Sequence, residues 1–319
     1  MTVAERVGNF ANGFLLPQLE RLKIALKNHG MLYLLMMPGI VYYLIFRYGT
    51  FYGALIAFKD FHVLEGIIAS PWVGFEHFRK IFISPFFGRI MKNTLTISLL
   101  RLLFGFWPPI ILALMLNEVR TIRLKSFIQT ISYLPHFLSW VIVSGILLIF
   151  LSPGEGLINQ WLRAAGGQTI PFYSNNYWFI AVVILSGIWK GVGWGAILYL
   201  AGLAGINPEL YEAATIDGAN RVQRVRYISI PSLQPVIVLM LTLSLGYIMN
   251  AGFEQIYMLY NPQVYEVADI MDTWVFRNGI EQFRFSLSAA VGLFKSAIGM
   301  TLLLSTNRLV KHWTGQGIW

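Results

Sequence analysis

Long apolar runs alternate with short polar segments along most of this chain. A helix that crosses a bilayer needs about 20 mostly apolar residues. Six windows of the sequence meet that requirement: residues 31–57, 88–117, 127–150, 177–203, 233–258 and 285–310. The pattern therefore predicts an all-α polytopic integral membrane protein with six transmembrane helices. An even number of spans places both termini on the same side of the membrane.

The basic residues between these windows predict the orientation. The segments that would share a side with the termini carry twelve Lys and Arg residues, against six in the alternate loops. Cytoplasmic loops are the ones enriched in Lys and Arg. We therefore expect a cytoplasmic amphipathic segment at residues 1–30, a transmembrane domain at 31–310 with a cytoplasmic loop at 204–232, and a cytoplasmic tail at 311–319.

Composition supports a membrane protein and narrows its chemistry. The chain is 56% hydrophobic and only 12% charged, so it is too apolar for a soluble domain. Its net charge of +9 is spread between the spans instead of being gathered on one face, which favours membrane-flanking charge over nucleic-acid binding. With no cysteine, disulfides, thiolate metal sites and cysteine catalysis are excluded.

One polar, charged stretch interrupts the apolar pattern, and we call residues 207–231 the polar segment; it reads NPELYEAATIDGANRVQRVRYISIP. Asn207 is a good N-cap and Pro208 suits the first helical position. Gly218 can adopt the left-handed conformation that ends a helix. These signals predict a short helix from Pro208 to Asp217, kept thin on one side by alanines and followed by three arginines available to a partner: Arg221, Arg224 and Arg226.

The spacing within the polar segment resembles a known motif. Glu212-Ala213-Ala214 is followed after three residues by Gly218, and after nine more by Ile228-Ser229-Ile230-Pro231. An isolated Glu-Ala-Ala would indicate only an ordinary loop helix. The full spacing resembles the cytoplasmic EAA loop of ATP-binding-cassette importer membrane subunits, with Ile230 where Leu is more usual. Residues 88–310 are similar to a permease subunit of a maltose-type carbohydrate importer. The short loops between spans resemble the six-span oligosaccharide and polysaccharide permeases of the alginate type.

The resemblance implies a type I importer permease fold in the bacterial cytoplasmic (inner) membrane. It also implies a coupling helix that sits in a groove of the ATPase subunit. Its residues would be Tyr211, Glu212, Ala213, Ala214, Asp217 and Gly218. The implied partners are a second homologous permease subunit, two ATP-binding-cassette subunits and an extracytoplasmic solute-binding protein.

The chain itself offers no nucleotide site. The nearest approach to a phosphate-binding loop, residues 292–296 (Gly-Leu-Phe-Lys-Ser), has the wrong spacing and lies within a span. ATP and Mg are therefore expected in the partner subunit, with no cofactor, metal or catalytic residue in this chain.

The family's sugar pathway runs between the helices on either side of the EAA loop. The positions that correspond here are Trp189, Lys190, Gly191, Trp194, Ser244, Tyr247, Asn250 and Ala251. Aromatic rings pack on the apolar face of a pyranose, while hydroxyls and amides bond to its hydroxyl groups. The alternative is that these side chains only pack against neighbouring helices.

Three cations fall near the middle of predicted spans: Arg101, Lys190 and Lys295. A charge at that depth costs at least about 2.5 kcal/mol unless it is paired or hydrated. We expect one or more of them, Lys190 first, to face the cavity and favour an acidic saccharide such as a uronate oligomer. The alternative is a salt bridge to Glu254 or to the second permease subunit.

Three other functions remain open from the sequence. The same importer class could carry another solute, such as glycerol phosphate. An ion-coupled secondary transporter would need acidic ion sites, yet the central spans are poor in Asp and Glu. A membrane enzyme would need grouped catalytic or metal-binding residues, whereas the histidines are scattered: His29, His62, His77, His136 and His312.

Overall fold

A computed structural model describes residues 27–314 of the chain. The described chain is almost entirely helical and contains no strand beyond a single bridge between Lys59 and Trp72. Five of its helices are long and apolar enough to cross a membrane, and the number is six if a bent pair of helices is counted as one span. The prediction of an all-α polytopic protein is confirmed. Most of the predicted amphipathic segment, residues 1–26, lies outside the described residues.

The principal helices, numbered in chain order, are as follows. They are α1 (Lys27–Phe58), α2 (Phe87–Asn117), α3 (Ile122–Phe137), α4 (Trp140–Leu151), α5 (Asn176–Ala204), α6 (Pro208–Ile216), α7 (Arg221–Gly246), α8 (Phe253–Leu259), α9 (Met271–Phe276) and α10 (Phe285–Thr314). Shorter helices at Gly66–Ala69, Glu76–Ile83, Leu157–Ala164 and Tyr265–Ala268 lie in the connections.

The third predicted span, residues 127–150, is not one helix. The structure has α3 and α4 at 101° to each other, separated by Leu138 and Ser139. Pro135 tightens the end of α3 into a 3₁₀ turn, and Ser139 is an extended N-cap that accepts a hydrogen bond from the Ile142 amide at 3.3 Å. The apolar window runs across this break without interruption, because hydropathy contains no information about the direction of a helix axis.

The fifth predicted span, residues 233–258, is also displaced. α7 begins earlier, at Arg221, and ends at Gly246 after 26 residues. The chain then leaves the helix, passes through Gly252 at a left-handed φ of +85° and forms the short helix α8. Residues 247–284, which we call the α7–α10 connection, fold back against the body of the protein: Ala251, Gln255, Ile256 and Ile270 are fully buried.

The long helix α5 lies at the centre of the packing. Its Ala196, Tyr199 and Leu203 form a buried cluster with α2 and with Leu233 of α7. Nearer its start, Phe179 and Val183 join a second cluster that includes Ile256 of α8. By contrast, α1 buries none of its most apolar stretch within the chain.

Candidate coupling surface and central cavity

The helix α6 forms where the capping signals predict it. The Asn207 side chain accepts a hydrogen bond from the Glu209 amide at 3.1 Å, and Pro208 is the first helical residue. The helix ends at Ile216, one residue before the predicted end. Gly218 then takes φ +79°, and the Ala219 amide donates to the Ala214 carbonyl at 2.8 Å. This is the left-handed C-terminal cap that leaves few helix carbonyls unsatisfied.

Internal hydrogen bonds hold α6 against the start of α7. Asn220 and Gln223 form a reciprocal capping box that begins α7. The Tyr211 hydroxyl lies 2.9 Å from the hydroxyl of fully buried Ser229. Tyr211, expected as a coupling residue, therefore fixes α6 to the span that follows it.

Arg224 also has an internal role, in contrast to the expectation that it offers charge to a partner. Its guanidinium donates to the Thr215 hydroxyl at 2.9 Å and to the Glu118 carboxylate at 3.3 Å, and its side chain is only 15% exposed. Glu118 directly follows α2, so this contact ties α6 and α7 to a second membrane helix. A displacement of α6 would be transmitted to α2 as well as to α7.

The remaining side chains of α6 and the start of α7 form a surface without a partner among residues 27–314. Glu212, Ala213, Asp217 and Gly218 are exposed, and Ala214 is partly exposed. Apolar side chains stand beside them, with Ile216 86% and Val222 74% exposed. Such exposure is unfavourable in water unless another protein covers it. The surface therefore has the composition of a docking site.

A cavity of about 420 Å³ opens between α2, α4, α5 and α7. Five of the predicted pathway residues line it: Arg101, Gly191, Ser244, Tyr247 and Asn250. Ser98, Trp140 and Tyr199 also line the cavity. The sequence did not predict them, because only the packing of their helices brings these side chains to the same space. Its volume is within the range of pockets that enclose small organic ligands.

The other predicted pathway residues do not line this cavity. Trp189 is 46% exposed but does not line the cavity, and Ala251 is fully buried. Trp194 stacks on the His136 ring at 4.4 Å. The Lys190 ammonium donates to the His136 carbonyl at 2.6 Å and lies 5.6 Å from the Trp140 ring centre. Lys190 therefore contacts the bend between α3 and α4 and is not among the residues that line this cavity; that it is first among the cations facing the substrate pathway stays a prediction.

The two remaining central cations have different partners. Lys295 of α10 forms an ion pair with Asp272 of α9. Arg101 of α2 hydrogen-bonds the side-chain oxygen of Gln255 in α8, which is neutral. Among the described residues, no ion pair joins Glu254 to any of the three cations. Lys295 borders two shallower openings near Tyr247 and Asn250 instead of the main cavity.

The α7–α10 connection supplies both of these partners and is itself held by buried polar contacts. Asp269, only 2% exposed, accepts from Arg277 at 2.7 Å and from the Thr273 hydroxyl at 2.7 Å. Burial lowers the pKa of Arg277, but hydrogen bonds to Asp269 and Tyr260 outweigh it and hold that pKa above its usual value. The Asn93 amide of α2 donates to the Asp269 carbonyl at 3.0 Å. These contacts fix the connection over the ends of α2 and α10.

Comparison with known proteins agrees with this architecture. A permease protein of the polygalacturonan/rhamnogalacturonan transport system of Bacillus subtilis, YteP, is 44% identical over 300 residues, with 94% of each chain covered. Protein LplB of the same organism is 45% identical over 294 residues, with 92% of each covered. The fold also matches a crystal structure of a bacterial ABC transporter that imports the acidic polysaccharide alginate. That match has a TM-score of 0.84 and 41% identity, covering 92% of this chain and 99% of that one.

The family model for binding-protein-dependent transport system inner membrane components matches residues 105–313, which include the polar segment and every predicted pathway residue except Arg101. The resemblance stated from the polar segment is thereby confirmed, together with the type I importer permease fold. The chain belongs to the family of binding-protein-dependent transport system inner membrane components.

Proposed function

We propose that this chain is the permease subunit of an ATP-driven, binding-protein-dependent importer that moves an oligosaccharide across the cytoplasmic membrane by alternating access. The observation that carries the proposal is the mechanical continuity of the coupling surface with the cavity wall. α6 is tied to α7 through Tyr211 and Ser229, and to the end of α2 through Arg224 and Glu118. Both α2 and α7 line the cavity.

The chain's own residues supply binding and movement, and the ATPase subunits supply the free energy. In the proposal, exposed Glu212 and its neighbours on α6 sit in a groove of an ATP-binding-cassette subunit, which binds ATP and Mg. Closure of two such subunits moves α6, and the contacts described above pass this movement to α2 and α7. A second, homologous permease subunit completes the pathway, and an extracytoplasmic solute-binding protein delivers the substrate.

A carbohydrate suits the cavity and the named relatives. Trp140, Tyr199 and Tyr247 offer aromatic surface, while Ser98, Ser244 and Asn250 offer hydrogen-bonding groups. The relatives are named for transport of polygalacturonan and rhamnogalacturonan, arabinooligosaccharides and galactooligosaccharides. A glycerol phosphate permease matches at 28% identity, so that solute is the second candidate. The gradient-driven alternative has no support from the family.

The decisive test is coupling in the reconstituted importer. We expect the ATPase rate to rise when oligosaccharide-loaded binding protein is added, and Glu212→Lys to abolish that rise, since it reverses the charge of an exposed coupling residue. Glu65→Lys is the matched control, because Glu65 is an exposed glutamate in a loop predicted to lie on the opposite face. Unchanged stimulation in the Glu212 variant would refute the coupling role.

The proposed orientation can be tested separately because the chain has no native cysteine. Ala213→Cys and Glu155→Cys place single thiols at exposed positions on opposite predicted sides. A membrane-impermeant maleimide should label Cys at 155 in intact protoplasts or spheroplasts and reach Cys at 213 only after the membrane is opened. The reverse labelling pattern would place α6 outside the cytoplasm.

A further inference from the structure

The central cavity contains one uncompensated positive charge. Among the described residues that line it, Arg101 is the only charged one, and no Asp or Glu lies on its wall. No ion pair joins Arg101 to any described acid within 4.0 Å, although other buried cations such as Arg277 and Lys295 have acidic partners. A guanidinium away from bulk water is stabilised when an anion reaches it. The described residues of this chain therefore supply no anion to Arg101.

The guanidinium is held in place by neutral groups. The Gln255 amide nitrogen donates to the Val183 carbonyl at 2.7 Å and to the Ser186 hydroxyl at 2.8 Å, so its oxygen is directed toward Arg101. Gln255 is itself fully buried. This arrangement positions the arginine without neutralising it.

Two further details describe how the guanidinium is packed and which of its nitrogens are already bonded. Gly252 lies against it with φ +85°, and a Cβ at that position would collide with the terminal guanidinium atoms. Nε is buried and lacks a hydrogen-bond partner, Nη2 donates to Gln255, and Nη1 donates no hydrogen bond to the described residues. Nη1 is therefore the guanidinium nitrogen that remains to donate a charge-assisted hydrogen bond to a carboxylate.

Neutral hydrogen-bonding groups border the same space. The side chains of Tyr247 and Asn250 are exposed to the cavity and form no hydrogen bonds within the described chain. They can bind sugar hydroxyls while the arginine binds an acidic group. We infer that Arg101 is the specificity-determining residue of the cavity and that the transported oligosaccharide carries carboxylates, as uronate oligomers do. This inference rests on the proposed function and narrows its substrate class.

The test is equilibrium binding to the purified importer without its binding protein, so that only the permease selects. The probes are trigalacturonate and its carboxyl-reduced counterpart, galactotriose. A hydrogen bond to a charged group contributes roughly a factor of ten to a hundred in affinity. We expect the importer to favour trigalacturonate by about that factor, and Arg101→Gln to remove the preference while binding to galactotriose is retained.

Three further variants test whether the preference depends on Arg101 in particular. Arg101→Lys should keep part of the preference because it keeps the charge but loses the planar fork. Gln255→Glu should abolish it by placing a carboxylate beside Arg101, which gives a second route if Arg101→Gln fails to assemble. Arg89→Gln, an exposed arginine elsewhere on α2, should leave it unchanged.

Several outcomes would overturn the inference. Equal binding of the two trisaccharides, or a preference that survives in both Arg101→Gln and Gln255→Glu, would do so. Stronger binding of sn-glycerol 3-phosphate than of trigalacturonate would assign the arginine to a phosphate ester instead. Equal binding of both sugars with intact ATPase stimulation would leave the proposed importer function standing, whereas loss of that stimulation with every oligosaccharide would remove it.

Discussion

The polar segment and the α7–α10 connection both lie between apolar spans, yet they fold for different reasons. The first has Asn207, Pro208 and Gly218 at the positions where a helix needs a cap, a start and an end, and α6 follows those signals within one residue. The second begins inside an apolar window that predicts continued helix, and the chain turns away instead. Local signals determine the first region, and long-range contacts determine the second.

The two regions also differ in what they bury. α6 leaves Glu212 and Ile216 exposed, as expected of a surface that another subunit covers. The α7–α10 connection buries Gln255 and Asp269 and supplies partners to Arg101, Arg277 and Lys295. Exposed side chains on a short capped helix suit a movable contact, whereas buried charges and amides suit a fixed scaffold for the cavity.

The largest expected effect is the loss of the buried ion pair in the connection. Asp269→Asn leaves Arg277 without its anion, and breaking such a pair costs about 3–5 kcal/mol. We expect a clear drop in the unfolding temperature of the detergent-purified protein. Glu76→Gln is the control, because it removes a solvent-exposed ion pair with Lys80, and such pairs contribute little to stability. Equal, small shifts for both variants would contradict the scaffold role.

An intermediate effect is expected at Gly252. A non-glycine residue in a strained conformation costs about 1–3 kcal/mol, and its Cβ would also displace the Arg101 guanidinium. Gly252→Ala should therefore lower both stability and the preference for trigalacturonate in the binding assay. Gly191→Ala is a matched substitution on the cavity wall, where a Cβ meets nothing within 4 Å. If both variants keep the preference, Gly252 does not control the arginine.

The smallest expected effect lies in the locally determined region. Asn207→Ala removes the N-cap of α6 and should cost about 1 kcal/mol. Because α6 lies at the surface, the loss should appear as faster hydrogen exchange at the amides of residues 209–211, with little change in the global unfolding temperature. Asn207→Asp keeps a capping side chain and should restore slow exchange. A large global destabilisation would show that α6 belongs to the core.

The three central cations, Arg101, Lys190 and Lys295, show the limit of prediction from the sequence. Their depth in the spans was readable from hydropathy, but their partners were not. Asp272 is 23 residues before Lys295 in a region expected to be a loop, and Gln255 is 154 residues after Arg101. The contact of Lys190 was equally hidden, because only the bend at residues 138–139 brings the His136 carbonyl to it.

The sequence by itself determined that the chain is a helical membrane protein and that residues 207–220 contain a capped helix followed by a turn. Those features depend on apolar run length and on the backbone preferences of Asn, Pro and Gly, which act over a few residues. Tertiary structure alone decided which cation lines the cavity, where α7 ends and how α3 and α4 meet. These outcomes depend on burying polar groups with partners distant in sequence, and no local pattern encodes that pairing.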